Sequence, residues 1–451
     1  PGGAGDSRQM TFSFWFKRGN VELSGYLWTA WNGSNTDRIG FTSDEQMIIE
    51  LKDGSATEAE FHTKKLFRDP AAWYHVVVAF DTEQAATDDR MKLYVNGTLI
   101  TDFDTKDTIG QNYDLEGFNT TNEHSIGRYQ SGSTGGSTYC DGYLAEVNFI
   151  DGTQNAVTDF GEIDTDTGQW IPKKYAGAYG TRGFYLDFAD NSNTTAGTLG
   201  KDSSGNGNNV TPTNFSVAAG DANDSRTDTP TNNKVTLNPL WPWSTTLTEG
   251  NLRTGGTGGS NEITTIGLPG NSSFYYEIVW ATLPGWVTAG VVEGLAANSG
   301  NVSSFSHILY DAQITAWHST GASVQQGAYN GSDGTAWSTT DVVGIKYVNG
   351  TLTLYKDGTA NGTTKSVASN TSTIYPHIQA DGGSVSAYIR FNSADWTETP
   401  TGVDATWEVD VARLPEPTIK NGEDYFGILE YTGNETASTI NGLNFNPDLI
   451  I

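Results

Sequence analysis

Met-Thr-Phe-Ser-Phe-Trp-Phe-Lys-Arg, residues 10–18, is the stretch that decides the fold. Its phenylalanines occupy every second position, 12, 14 and 16, and Thr11, Ser13 and Trp15 alternate with them. Successive side chains of a β-strand point to opposite faces of the sheet, so this alternation predicts a half-buried strand with the phenylalanines in a core.

Neighbouring segments extend the strand into an antiparallel sheet. Trp73–Phe80 predicts a second buried strand, and Met91–Ile100 predicts a hairpin. Asn96-Gly97 lies at the centre of that hairpin and can supply the two positive-φ residues of a type I′ turn. Residues 143–150 and 183–188 alternate in the same way, which completes a first sandwich of strands.

A second series of strands follows later in the chain. Asn349-Gly350 again marks the centre of a hairpin, between residues 341–348 and 351–355. The remaining strands are expected at 274–280, 287–292 and 384–391. These patterns predict an all-β chain of two antiparallel jelly-roll sandwiches in tandem.

The order of these segments gives a domain plan. The first sandwich is expected at 1–190 and the second at 246–400. Residues 191–245 are rich in Asn, Ser and Gly, which favours a linker. Residues 401–451 are expected to hold a connector and the truncated start of a third β domain, because the chain stops on an apolar run.

Composition narrows the classes of partner. The chain of 451 residues has 25 Lys and Arg against 53 Asp and Glu, a net charge of -28, which disfavours nucleic acid and membrane surfaces. The 53 glycines and 12% aromatic residues suit short strands and tight turns. Cys140 is the single cysteine, so an intrachain disulfide is excluded. No signal peptide is expected at the start, Pro1 to Gly5, so release by lysis would explain an extracellular location.

The first half resembles the LamG and pentraxin branch of the concanavalin A-like sandwiches. The resemblance rests on an ordered set of segments: Thr11–Phe16, Trp73–Val76, Leu93–Gly97, Ile126-Gly127 and Gly142–Val147. It implies that the first sandwich is concanavalin A-like and that calcium could bind at its rim.

The second half is similar to a SPRY domain, which is also a jelly roll. The similar segments are Phe274–Ile278, Gly290–Val292, Asp341–Ile345, Leu352–Gly358, Ile374–Ile378 and Val385–Phe391.

The combination resembles large structural proteins of marine tailed bacteriophages. Segments similar to Phe188–Ser192 and Lys201–Asn209 follow such a sandwich in those proteins, and one similar to Tyr431–Asn434 with Gly442–Asp448 opens a further domain. The resemblance implies a virion surface location, other virion proteins as partners and a homo-oligomer.

The sharpest catalytic candidate is the acidic run Glu162-Ile-Asp164-Thr-Asp166. Some concanavalin-like glycoside hydrolases carry Glu-x-Asp-x-Glu on a strand that lines a cleft. The second glutamate is missing here, and the neighbours of the run favour a solvated loop. We therefore expect no catalytic residue and no enzyme activity. His75 lies within an apolar strand, where a core histidine is the expected role.

Calcium is the one cofactor for which the sequence offers candidate ligands. Its oxygen ligands could come from Asp37 or from Asp141, although neither has the spacing of a known calcium loop. The alternative for both is an Asx residue that caps a turn.

Four aromatic residues are candidates for binding sugars, since a flat ring can cover the apolar face of a pyranose. They lie among Gly, Ser and Asn in the second half: Trp286, Trp317, Tyr329 and Trp337. Packing in the core is the alternative for each.

These observations favour a virion structural or host-recognition protein, such as a tail fibre, spike or capsid fibre. Its sandwiches are expected to bind carbohydrate or protein, as spacers, assembly surfaces or contacts with host surface glycans. A secreted bacterial lectin or adhesin and a glycoside hydrolase are the alternatives.

Overall fold

The computed structural model describes residues 5–31, 33, 36–54, 56–129, 138–242, 244, 246–257, 260–283, 285–294, 314–326, 328–367, 372–381 and 383–415. The described chain consists of strands, short 3₁₀ turns and loops, with no α-helix in those ranges. The all-β prediction, with two antiparallel sandwiches in tandem, is confirmed. The expected third domain at the C-terminus lies outside the described residues. No helix within the described ranges is long and apolar enough to cross a membrane.

The first sandwich stacks two six-stranded antiparallel sheets. Sheet A has the order β14-β11-β1-β6-β7-β8, and sheet B has the order β10-β2-β3-β4-β5-β9. A separate hairpin joins β12 and β13. The strands are β1 (Gln9–Arg18), β2 (Gly25–Trp31), β3 (Thr36–Phe41), β4 (Gln46–Asp53), β5 (Ala56–Leu66), β6 (Trp73–Asp81), β7 (Met91–Val95), β8 (Thr98–Leu99), β9 (Phe103–Lys106), β10 (Glu123–Ile126), β11 (Gly142–Asp151), β12 (Gly161–Ile163), β13 (Trp170–Pro172) and β14 (Phe184–Leu186).

The alternation in β1 builds the first core. Phe12, Phe14 and Phe16 are buried among aromatic and aliphatic side chains of both sheets, as the sequence predicts. The expectation of a half-buried strand is wrong, however, because Thr11, Ser13 and Trp15 on the opposite face are also buried. A smaller cluster that includes Val157, Phe160 and Tyr175 packs against sheet A on that side, so this sheet is covered on both faces.

The second sandwich also stacks two antiparallel sheets. Sheet C has the order β15-β16-β29-β19-β24-β25-β26, with β27 beside β25, and sheet D has the order β17-β28-β20-β21-β22-β23, with β18 beside β28. The strands are β15 (Thr246–Thr248), β16 (Arg253–Thr257), β17 (Ser260–Ile263), β18 (Leu268–Pro269), β19 (Ser273–Thr282), β20 (Trp286–Glu293), β21 (Ile314–His318), β22 (Ala322–Gln325), β23 (Ala328–Ser332), β24 (Val342–Val348), β25 (Thr351–Lys356), β26 (Thr359–Ala360), β27 (Lys365–Ser366), β28 (Thr373–Asp381) and β29 (Ser384–Arg390).

Both predicted hairpin turns form. Asn96 and Gly97 have φ of 48° and 80°, and Asn349 and Gly350 have φ of 41° and 83°. Positive φ at both central residues is what a type I′ turn requires. Gly97 has a second reason to be glycine, since a Cβ there would lie 2.6 Å from the ring of Trp170.

The segment between the sandwiches is held by its own hydrogen bonds. The buried Asp202 carboxylate accepts bonds from the backbone N–H groups of Tyr185, Ser204 and Asn208. Further along, Val235 and Leu237 are buried in the core of the second sandwich. Much of the predicted linker is therefore packed against one sandwich or the other.

Candidate ligand-binding face

His75 is a structural residue at the covered face of sheet A. Its ring lies between the rings of Trp15 and Trp170, with centroid distances of 4.9 and 6.0 Å. Trp170 Nε1 donates to its Nδ1 at 2.9 Å, so Nε2 carries the proton and faces Ser13 Oγ at 3.0 Å. Burial lowers the pKa of His75 to about 3. A neutral, fully bonded imidazole has no capacity left for catalysis, which confirms the expected core role.

The acidic run at 162–166 lies on an exposed hairpin. Glu162 is on β12, its side chain is 56% exposed, and its nearest ionic partner is Lys173 at 4.0 Å. Asp164 Oδ1 accepts bonds from the N–H groups of Asp166 and Thr167, and these bonds lower its pKa. The Glu162 and Asp166 side chains are thus exposed and the Asp164 carboxylate caps a turn, which matches the solvated loop expected from the sequence.

Asp37 uses its carboxylate to hold two loops in place. Oδ2 accepts bonds from the backbone N–H groups of Gly117 and Phe118, at 2.9 and 2.8 Å, and Oδ1 accepts one from Lys52 at 3.2 Å. Burial raises the pKa of Asp37 to about 6, although these three bonds act in the opposite direction. Both oxygens face backbone donors, so the geometry corresponds to the capping alternative and not to a calcium ligand.

Asp141 also caps backbone. Its Oδ2 accepts a bond from the N–H of Asn20 at 3.2 Å, and burial raises its pKa. It follows Cys140, which packs beside Gly25 at the start of β2, whereas Asp37 pairs with Ala30 near the end of that strand. At about 3.3 Å per residue, Gly25 and Ala30 are roughly 17 Å apart along β2, so the two aspartates lie beside opposite ends of this strand. Across the described part of the chain, no group of three His, Cys, Asp or Glu side chains could hold a metal ion. The calcium site suggested by the sequence is therefore not assembled there.

Two of the four candidate aromatic residues belong to the core. Trp317 is 0% and Trp337 is 4% exposed, and both pack inside the second sandwich. Trp317 Nε1 donates to Asp333 Oδ2 at 3.2 Å. A ring enclosed by core side chains cannot stack on a sugar, so the core alternative holds for these two and they are withdrawn as ligand contacts.

The other two candidates are exposed and share one face of sheet D. Trp286 is 52% exposed on β20, and Tyr329 is 53% exposed on the edge strand β23. Val287 and Ala289 of β20 point into the core, so Trp286 points to the outer face of the sheet. The register from Gly290 through Ala316 and Val324 to Tyr329 places Tyr329 on the same face.

A row of polar side chains crosses this outer face beside Trp286. The register aligns one residue from each of four adjacent strands, β17, β28, β20 and β21, and all four are 1–2% exposed. We call this the polar row: Asn261, Gln379, Thr288 and His318. The Trp286 ring lies 4.6 Å from the His318 ring, centroid to centroid. His377 is two positions before Gln379 on β28, so it belongs to the same face.

Three hydrogen-bonding atoms at the polar row lack a partner among the described residues: Thr288 Oγ1, His318 Nε2 and His377 Nδ1. Buried polar atoms are nearly always paired, so each such atom needs a water or a ligand. Sequence reasoning missed these residues. The available signal was a polar residue inside an apolar strand, such as Thr288 between Val287 and Ala289.

Residues 2–157 match the family Laminin_G_3, described as the concanavalin A-like lectin/glucanases superfamily. No match was found among curated proteins.

Similar solved structures include a pentraxin, a SPRY domain and a laminin pair. A native heptameric SAP-like pentraxin from Limulus polyphemus is 18% identical, with 34% of this chain and 68% of that chain covered and a TM-score of 0.26. The SPRY domain of human HERC1 is 12% identical, with 31% and 86% covered and a TM-score of 0.26. Domains LG4-5 of the mouse laminin alpha1 chain are 8% identical, with 90% and 82% covered and a TM-score of 0.27.

Proposed function

We propose that the chain is a non-enzymatic component of a bacteriophage particle, a tail fibre, spike or capsid fibre, that contacts neutral glycans of the host surface. Its sequence resemblance to phage structural proteins supports the particle assignment. The observation that carries the binding role is the half-exposed Trp286 ring beside the polar row. The carboxylates singled out by the sequence, in contrast, are solvated or cap backbone.

The hydrogen-bonding pattern of the two histidines suits hydroxyl groups. Thr320 N–H donates to Nδ1 of His318, so Nε2 of that ring carries the proton and is a free donor. His377 Nε2 faces Asn261 Oδ1 at 3.1 Å and donates to it, which leaves Nδ1 as a free acceptor. A sugar hydroxyl both donates and accepts, so it can use these two atoms together with the Thr288 hydroxyl once the side chains that bury all three residues to 1–2% exposure move aside.

The charge of the site favours a neutral ligand. Burial lowers the pKa of His377 to about 4 and also lowers that of His318, so both imidazoles are uncharged near neutral pH. The net charge of -28 repels anionic sugars at long range. Trp286 then provides the apolar surface on which a pyranose ring stacks.

Binding is tested with the full chain on a glycan array, followed by titration of the best neutral oligosaccharide. Trp286→Ala should weaken binding at least about tenfold, the loss of roughly 1.4 kcal/mol that one stacked aromatic ring can supply. Tyr139→Ala is the matched control, because Tyr139 is 60% exposed and belongs to the first sandwich. Equal affinities for the wild type and Trp286→Ala would reject this face as the binding site.

The particle assignment is tested separately. Mass spectrometry of purified particles should detect the chain, and antibodies against it should label the particle surface in electron micrographs. Its absence from intact particles would defeat the assignment whether or not glycans bind.

A further inference from the structure

A buried ammonium group of the first sandwich binds the segment that leads into the second sandwich. Lys17, on β1 of the first sandwich, has a side chain that is 0% exposed. Its Nζ donates to Asp228 Oδ2 at 2.8 Å, to Asn233 Oδ1 at 2.9 Å and to the backbone oxygen of Lys234 at 2.7 Å. An ammonium has three hydrogens, so these three acceptors satisfy it completely.

The segment that surrounds Lys17 is also fixed to its neighbours in the first sandwich. The second oxygen of Asp228 accepts a bond from Trp73 Nε1 at 2.9 Å and another from the N–H of Lys234 at 3.2 Å. Asn233 Nδ2 donates to the backbone oxygen of Ala71 at 2.7 Å. Residues 228–234 therefore bind the ends of β1 and β6 through side chains and backbone.

The same segment enters the second sandwich without a spacer. Lys234 Nζ forms ion pairs with Glu408 and Asp410, and its backbone bridges to Asp410. The next residue, Val235, is 0% exposed in the second core. Asn233 is thus bonded to one sandwich and Val235 is buried in the other, which leaves no free residue to act as a hinge. We call residues 228–235 the joint.

A second contact lies away from the joint in sequence. Asn251, 1% exposed in the turn between β15 and β16, donates from Nδ2 to the backbone oxygen of Gly19 at 3.0 Å. Tyr143 Oη donates to the backbone oxygen of Gly250 at 2.7 Å. Gly250 has φ of 63°, and a Cβ there would lie 2.4 Å from Tyr143 Oη, so this contact needs glycine. Two separate contact points restrict rotation as well as separation.

We infer that the joint and the 250–251 turn lock the two sandwiches into one rigid body with a fixed angle between them. Domains in one chain move relative to each other by default, unless their interface resists it. Here a buried ion pair with complete hydrogen bonding supplies that resistance, since breaking it would strand an uncompensated charge. The inference goes beyond the proposed function and holds whether or not the chain binds glycans.

The test measures one distance across the joint in the full chain. Spin labels are attached to Thr98→Cys in the first sandwich and Thr351→Cys in the second, both exposed positions, in a Cys140→Ala background. Pulsed dipolar EPR should give a single narrow distance distribution. A broad or multiple distribution in this otherwise unaltered chain would overturn the inference.

Variants then test which residues cause the rigidity. Lys17→Met and Asn251→Ala, combined in one chain, should lose the single narrow distribution. Lys64→Met is the control, because Lys64 pairs with Asp102 while both side chains are more than half exposed. If the combined variant fails to fold, Asn251→Ala alone should still broaden the distribution. A narrow distribution that survives the changes in a folded chain would overturn the role given to these residues.

Discussion

Replacing Glu277 by glutamine should destabilise the second sandwich strongly. Glu277 lies on β19 and is 0% exposed. Its Oε1 accepts bonds from the N–H of Glu398 at 2.9 Å and from Tyr275 Oη at 3.2 Å. Its Oε2 accepts bonds from the N–H of Thr397 at 2.9 Å and from Arg390 at 3.2 Å. The carboxylate thus holds the 397–398 segment against sheet C.

The size of the effect follows from the number of donors that lose an acceptor. The Thr397 hydroxyl also donates to Oε2, at 3.4 Å, so the carboxylate has five donors. A glutamine keeps one oxygen, so its amide nitrogen must face two or three of these five donors. Each buried donor left without a partner costs about 1–3 kcal/mol, and Tyr275 can rotate its hydroxyl away, so we expect a total of about 3 kcal/mol. Arg390 keeps its pair with Asp221, which limits the loss.

Differential scanning calorimetry measures the result. For a cooperative unit of about 150–250 residues, a loss of about 3 kcal/mol lowers Tm by roughly 6–12 °C. Glu162→Gln is the matched control, since its side chain is 56% exposed and its ion pair is long. A Glu277→Gln shift no larger than that of the control would refute the reasoning.

The other predictions concern the first sandwich. His75 titrates at about 3 when folded, below its ordinary 6.5, so its stabilising effect is complete above pH 6.5 and declines as the pH falls toward 3. The difference in unfolding free energy between the wild type and His75→Gln, measured by urea titration, should therefore decrease by about 3 kcal/mol from pH 7 to 4.5. A difference that stays the same over this pH range would contradict the prediction. Gly97→Ala should lower the free energy of unfolding more than Gly54→Ala does, because both glycines have positive φ but only a Cβ at position 97 would lie against Trp170. Equal losses in the two variants would show that packing against Trp170 does not matter. Glu162→Gln should leave any polysaccharide turnover by the chain unchanged, and its loss would support the glycoside hydrolase alternative.

Local patterns sufficed for the strands but not for what covers them. The phenylalanines of β1 and both Asn-Gly turns follow from side-chain alternation and backbone preference within a few residues. The burial of Ser13 and Trp15 depends instead on residues 157–175, which fold back over sheet A. The alternation in β1 carries no information about that cover, so the strand looked half-buried from its sequence.

The candidate site was harder to predict for the same reason. Trp286 and Trp317 both lie in short β segments, yet one is exposed and the other is in the core, because β20 and β21 present those positions to opposite faces of sheet D. The polar row joins Asn261 to Gln379 through a register across 118 residues, shown by the pairing of β17 with β28. A register shift of one residue between β17 and β28 would place Asn261 and Gln379 on opposite faces of the sheet. A single sequence does not determine that register.

The joint explains why position 17 is a lysine, although burying an apolar residue there would cost less free energy. Buried ion pairs often contribute little net stability, and apolar replacements of the whole pair can be neutral or better. An apolar contact, however, tolerates sliding, whereas the Lys17 ammonium is satisfied only when Asp228, Asn233 and the Lys234 carbonyl meet it together. Asp228 is in turn bonded to Trp73, so a shift of the joint relative to the first sandwich would leave two buried groups unpaired. We infer that Lys17 contributes mainly to a unique docking angle between the first sandwich and the joint.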